Sequence, residues 1–140
     1  MRTQTLAVVL ILTGCATGYQ QNSWLPGGGF SETQLSPTRV RVSFTGNTRT
    51  SIERAEDFTF LRCAELTIEK GYSHFLVIDD RQTVERSTST TADPYGSTTI
   101  QKAEPTTTKT IEMLTSEAVH PEVYDANFLA ASIRDKYNIP

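Results

Sequence analysis

Two runs rich in serine and threonine, "STSTTA" at 87–92 and "TTTKT" at 106–110, flank Asp93-Pro94-Tyr95-Gly96. Asp in the first place, Pro in the second and Gly in the fourth is the pattern of a type I turn. A turn here reverses the chain, so the residues on its two sides become antiparallel neighbours. No other feature limits the fold as sharply. Pairing Asp93 with Gly96 sets a register in which Leu76 meets Met113 and Ile78 meets Ile111 on one face. Phe75 then meets Leu114 on the other. The expectation is one long hairpin, its apolar base inside the domain and its Thr-rich arm, 82–110, protruding. Pro105 has no N–H to give a ladder and is expected to bulge or fray its arm. The competing reading of 87–107 is a disordered polar loop.

Around the hairpin the periodicities are regular. In "TRVRVSFTGN", Val40, Val42 and Phe44 alternate with Arg39, Arg41 and Ser43, which predicts a half-buried strand with a solvated face. Thr50-Ser51-Ile52-Glu53 fits a capping box led by Thr50. Phe58, Leu61, Ala64 and Ile68 then mark one face of a helix over 52–70, closed by Lys70-Gly71. "SHFLVIDD" reads as a second strand. A helix between two strands implies a parallel pair unless another strand intervenes. After an Asp125 cap, Ala126, Leu129, Ala130, Ile133 and Tyr137 fall on one face of a second helix. The expected fold is a small two-layer α+β domain in β-α-β-β-α order. It has a three-stranded mixed sheet, two helices on one face and the long Thr-rich hairpin.

The only strongly apolar run lies at the start, "LAVVLILTGCATGYQ", Leu6 to Gln20. Residues 1–14 have the parts of a secretory signal peptide: Arg2, the apolar core Leu6–Leu12, then small residues. Seven apolar residues fall far short of the roughly 20 that cross a bilayer. Leu12-Thr13-Gly14-Cys15 resembles the bacterial lipobox. The resemblance implies cleavage before Cys15, a thioether-linked diacylglyceryl group on its sulfur and a further acyl chain on its amine. Two or more chains hold stably where one is marginal, at about 0.8 kcal/mol per buried CH₂. An ordinary signal peptide cut after Ala16 is the alternative. Ala16 is not the Asp that retains Gram-negative lipoproteins at the inner membrane, so the resemblance favours the outer membrane. Residues 15–37, "ATGYQQNSWLPGGG" among them, then read as a flexible tether, with Tyr19, Trp24, Leu25 and Phe30 free to dock, and 38–140 as the domain.

The combination of "GGGFSETQL", "RVRVSFTGN", "AEDFTFLRCAELTIEKGYSHFLV" and "YDANFLAASIRDKY" is similar to a family of small, functionally uncharacterised Gram-negative envelope lipoproteins. The resemblance covers most of 27–76 and the last helix and is weakest in the hairpin. It implies a location and brings no catalytic residues.

The composition offers no reaction and no nucleic-acid footprint. The net charge is −3, with 13 basic and 16 acidic side chains and no basic cluster. Cys63, with Leu61, Ala64 and Leu66 around it, reads as a packing residue, since a lipidated Cys15 has no thiol left for a disulfide. His74 and His120 lack partners at a metal spacing. Asp79 and Asp80 point to opposite faces of a strand and do not converge on one ion. Gly27-Gly28-Gly29 lacks the Lys-Ser/Thr of a phosphate loop, and no Gly-x-Ser-x-Gly elbow is present. The expectation is a non-enzymatic lipid-anchored protein with no cofactor and no metal. Its partners are the membrane, through the acyl chains, and an envelope protein. Arg39, Arg41 and Tyr95 are the candidate contact residues. The alternatives are a carrier or sensor of a small molecule, and an envelope hydrolase.

Overall fold

Alternation, helical period and turn chemistry all emerge in the computed structural model, which describes residues 16–21, 27–116 and 122–140. The expected signal peptide and lipobox, with Leu12, Thr13, Gly14 and Cys15, and also Trp24, Leu25 and His120, lie outside the described residues. The elements are β1 (Gly29–Gln34), β2 (Arg39–Thr45), α1 (Ile52–Glu69), β3 (His74–Asp93), β4 (Gly96–Leu114), β5 (Val123–Asp125) and α2 (Ala126–Tyr137).

The sheet corrects the expected fold. It is a curled, five-stranded half-barrel in the order β1-β2-β4-β3-β5, and every ladder is antiparallel. A three-stranded mixed sheet does not form, because β4 returns from the turn and inserts between β2 and β3. The strands flanking α1 therefore run the same way without touching. The two extra strands are edges with weak patterns. β1 grows from the stretch expected as tether, and its core-side positions include Glu32 and Gln34, paired with Val42 and Val40. β5 is three residues long.

The hairpin register holds from Asp93–Gly96 down to Asp79–Thr110 and then slips by one at Ile78. Below the slip Phe75 faces Met113 and Val77 faces Ile111, not the pairs expected from the turn. The bulge turns Phe75 inward, where it is fully buried and stacks on Tyr124 at 5.4 Å between centroids. Burying a phenylalanine side chain is worth about 1.5–3 kcal/mol. Ile78, the extra residue, is left 44% exposed.

Pro105 does not bulge its arm: Val84–Pro105 stays in register. Its carbonyl accepts from the Gly46 N–H at 2.9 Å, so its ring nitrogen also faces the end of β2 and takes no bond from β3.

The core lies between the helices and the inner sheet face: Val40, Val42, Ile111, Met113 and Phe75 against Leu61, Cys63, Ala64, Leu66, Ala130 and Ile133. The first helix is capped by Ser51, not Thr50; the Ser51 hydroxyl accepts from the Arg54 N–H at 3.1 Å. Thr50 instead accepts from the Thr17 N–H at 3.0 Å. Gly71, at φ +84°, closes the helix as its sequence position suggested. Asp125 caps α2 through the Phe128 N–H at 2.9 Å.

Candidate functional site

The hairpin outgrows the domain. β2 pairs with β4 only as far as Thr45–Thr106, and β5 covers β3 only from His74 to Leu76. From Val84 and Pro105 to the turn, β3 and β4 form a bare two-stranded ribbon of ten residues per strand. At about 3.3 Å per residue it reaches roughly 30 Å beyond the sheet. Every residue from 84 to 104 is exposed. At the tip Asp93 accepts from the Tyr95 N–H at 2.8 Å, the local bond that an Asp-Pro turn predicts. Tyr95 itself is 99% exposed.

The ribbon's outer edges carry unpaired backbone groups. Because the Pro105 carbonyl faces the end of β2, the odd-numbered residues 97–103 of β4 point their N–H and C=O outward. The even-numbered residues 84–92 of β3 do so on the opposite edge. Natural sheets blunt such edges with charges, bulges and proline. Near the domain these devices are all present: the Ile78 bulge, Asp79, Asp80, Arg81, Glu85 and Arg86 on β3, and Lys102, Glu104 and Pro105 on β4. They stop halfway. Ser87–Ala92 and Ser97–Gln101 hold no charge, no proline and no bulge. The root is electrostatically weak as well, because Glu85 lies directly opposite Glu104.

The candidate contact residues are not brought together. Arg39 and Arg41 lie on the outer face of β2, about 45 Å along the strands from the turn that holds Tyr95. Arg39 is engaged with Glu112, whose carboxyl it and Thr38 hold below the usual range, the Thr38 hydrogen bond contributing most. Arg41 is exposed between Thr33 and Thr110. The same face carries cross-strand hydroxyl pairs, Ser43–Thr108 at 2.8 Å and Thr45–Thr106 at 3.0 Å.

The N-terminal segment meets the domain at the ribbon's root. Thr17 is buried; its hydroxyl donates to the Gly27 carbonyl at 2.6 Å and accepts from the Asn47 N–H at 2.7 Å. Tyr19 packs between Phe30 and Phe58, and its hydroxyl bonds Glu65. Burial first, and Glu65 second, raise the phenol well above its usual value. Glu65 also receives Arg134 at 2.6 Å and Arg62 at 3.3 Å, so the segment, both helices and β1 are tied together through Arg62 and Glu32. Gly28 permits the approach: at φ +79°, a Cβ there would lie 2.1 Å from the Thr45 carbonyl oxygen. The glycines expected within the tether thus form a close-packed turn at the end of β2.

Sequence reasoning missed Lys109. Its side chain is fully buried, with Nζ 2.6 Å from Asp80, 3.4 Å from Glu56 and 4.2 Å above the Phe60 ring centre. Alternation could have found it, since Thr107, Lys109, Ile111 and Met113 share one face. Asp79 and Asp80 diverge as their adjacency requires: Asp80 turns in to Lys109, and Asp79 pairs with Arg81 at 3.1 Å. Beside Lys109, the Thr59 and Thr107 hydroxyls lie against each other and 2.8 and 2.9 Å from the Ala55 carbonyl, so one donates to that carbonyl and the other to its neighbour's oxygen.

Cys63 is wholly buried in the core, and burial pushes its thiol up to about 12. Ser73 lies 2.8 Å from His74 Nδ1 and donates to the Thr115 carbonyl at 3.0 Å. That bond ties the start of β3 to the end of β4. Among the described residues no group of three or more His, Cys, Asp or Glu side chains is arranged to hold a metal ion, and no helix is long and apolar enough to cross a membrane.

No family model, no curated protein and no solved structure matches this chain.

Proposed function

We propose that this chain is a lipid-anchored envelope protein without catalytic activity. It is held through acyl chains on Cys15, on the periplasmic side of the outer membrane, and it binds another envelope protein through the ribbon. The observation that carries the binding reading is the abrupt end of edge protection beyond Arg86 and Lys102. A two-stranded ribbon alone in water is marginal, and a third strand laid on its uncharged half would satisfy the outward N–H and C=O groups. The lipobox resemblance and the short apolar leader carry the location.

The test is a photo-crosslinking residue placed at Thr88, Thr90 or Arg41 in intact cells. The proposal predicts capture of one envelope protein from Thr88 and Thr90, whose backbone groups line the β3 edge. Capture from Arg41 alone would move the contact to the outer sheet face and overturn the ribbon as the binding surface.

A second reading, binding of a small anionic molecule, rests on a concavity of about 380 Å³ lined by Arg86, Thr88, Gln101, Lys102 and Ala103. It lies on the ribbon, not between sheet and helices, and is open on one side. A ligand retained through native mass spectrometry and lost in Arg86→Gln would favour it.

A further inference from the structure

The two edges of the ribbon are not alike. The β4 edge continues the line of β2, and its outward N–H and C=O groups belong to Ser97, Thr99, Gln101 and Ala103. The uncharged stretch on this strand is Ser97–Gln101, centred on Thr99. It holds Ile100, which is 53% exposed on a ribbon face that otherwise carries only hydroxyl, charged and glycine residues. The β3 edge has no large apolar residue in its own uncharged stretch, Ser87–Ala92.

We propose that two copies of this chain pair through their β4 edges, antiparallel about Thr99, and form a four-stranded sheet in the order β3-β4-β4-β3. The two-fold axis stands normal to the sheet between the two Thr99 residues. Only residues with outward backbone groups form the hydrogen-bonded pairs, so Thr99 meets Thr99 and Ser97 meets Gln101, each pair exchanging both of its bonds. The closer, intervening pairs set Thr98 against Ile100 on either side of the axis. Each isoleucine gains a β-branched neighbour and lies diagonal to its counterpart. One step further out, Lys102 meets Gly96 of the second copy. Gly96 has no side chain, and beyond it in the same row stands its own ladder partner, Asp93. Lys102 and that Asp93 share a face with their Cα atoms roughly 10 Å apart, a gap that an extended lysine side chain spans. Symmetry makes the contact twice.

Neighbouring registers lose what this one gains. Moving the axis to Ile100 brings Tyr95 of one copy opposite Pro105 of the other, where the Gly46 N–H already takes the carbonyl at 2.9 Å. It also sets Glu85 and Glu104 in one row with the second Asp93, three carboxylates without a cation. Moving the axis to Thr98 carries Lys102 beyond the end of the second strand and loses the charge pair. A two-stranded ribbon is marginal in water, whereas a sheet of three or more strands with a shared apolar contact is not. The pairing stands on the ribbon alone and goes beyond the reading above. It leaves the β3 edge, with Thr88 and Thr90, free for the envelope protein.

The test is disulfide formation between full-length chains in washed cells, driven by copper–phenanthroline and read on a non-reducing gel. A hydrogen-bonded antiparallel pair holds its Cα atoms about 5.5 Å apart, within disulfide range. Thr99→Cys, on the axis, is therefore expected to give a dimer of twice the chain mass. Ser97→Cys is also exposed and on the same face, but it lies roughly 14 Å from its own counterpart and should stay monomeric. Coexpressed with a differently tagged Gln101→Cys chain, it should crosslink. The parent chain, with Cys15 and the buried Cys63, sets the background. Lys102→Glu added to Thr99→Cys is expected to cut the dimer several-fold. No adduct at Thr99→Cys, an adduct there with a different protein, equal dimer from Ser97→Cys, or an unchanged yield with Lys102→Glu would each overturn the pairing. None of these results decides the capture from Thr88 and Thr90 that tests the envelope partner.

Discussion

At the scale of single residues, Lys109 shows how little a charge in a core reveals by itself. Its partners Asp80 and Glu56 remain 44% and 34% exposed, so water solvates them if the lysine goes. Replacing the lysine by an isosteric apolar chain strands nothing, whereas removing the main carboxylate leaves a buried cation with one distant partner. Lys109→Met is therefore expected to change stability by less than about 1 kcal/mol, and Asp80→Ala to cost about 3 kcal/mol. Urea unfolding of the two variants checks the order, and an equal loss would show that the ion pair, not the desolvated cation, dominates. Gly28 makes a similar contrast with Gly18. Gly28→Ala forces a Cβ onto the Thr45 carbonyl at positive φ and should cost about 1–3 kcal/mol. Gly18→Ala meets nothing within 4 Å and should be silent in the same thermal melt. Cys63 sets a pH dependence. Its thiol ionises near 9 in the unfolded chain and only at about 12 in the folded one, so the unfolded state sheds the proton first. That contribution is intact below about pH 9 and falls by about 1.4 kcal/mol per pH unit above it. Tyr19 and Tyr137, both raised mainly by burial, add in the same direction. Cys63→Ala should flatten the alkaline slope of stability while lowering its plateau.

At the scale of elements, legibility followed the strength of each local signal. The two helices announced themselves because Phe58, Leu61 and Ala64, and later Ala126, Ala130 and Ile133, recur at helical spacing and are all buried. The turn was legible because Asp, Pro and Gly each had a conformational reason to be there. β1 was not, since an edge strand with Glu32 and Gln34 on its core side shows no alternation. The slip at Ile78 was hidden because both registers bury apolar residues, and only the stacking of Phe75 on Tyr124 separates them. The candidate surface was half legible. Its Thr-rich sequence stood out, but the halt in edge protection is visible only once the register with β2 and β5 is known. The ribbon should be dispensable for folding. Replacing 86–103 by Asn-Gly between Glu85 and Glu104 keeps the Pro105 contact and fits a two-residue hairpin turn. The shortened protein is expected to stay within about 1 kcal/mol of the parent in denaturant unfolding, because the removed residues bury no core. A loss of several kcal/mol would mean that the ribbon folds back on the domain.

At the scale of the whole molecule, the proposed function has two parts, an acylated Cys15 and a ribbon that binds an envelope protein. Thr17 and Tyr19 are fastened to the domain, and Thr17 is held at the pole from which the ribbon departs. The location follows from Cys15 being acylated, and the intact mass of the mature protein purified from membranes reads this directly. The account predicts a chain that starts at Cys15 and carries the added mass of a diacylglyceryl group and an N-acyl chain. A mature chain that starts at Thr17, or one that starts at Cys15 with an unmodified thiol, would contradict it.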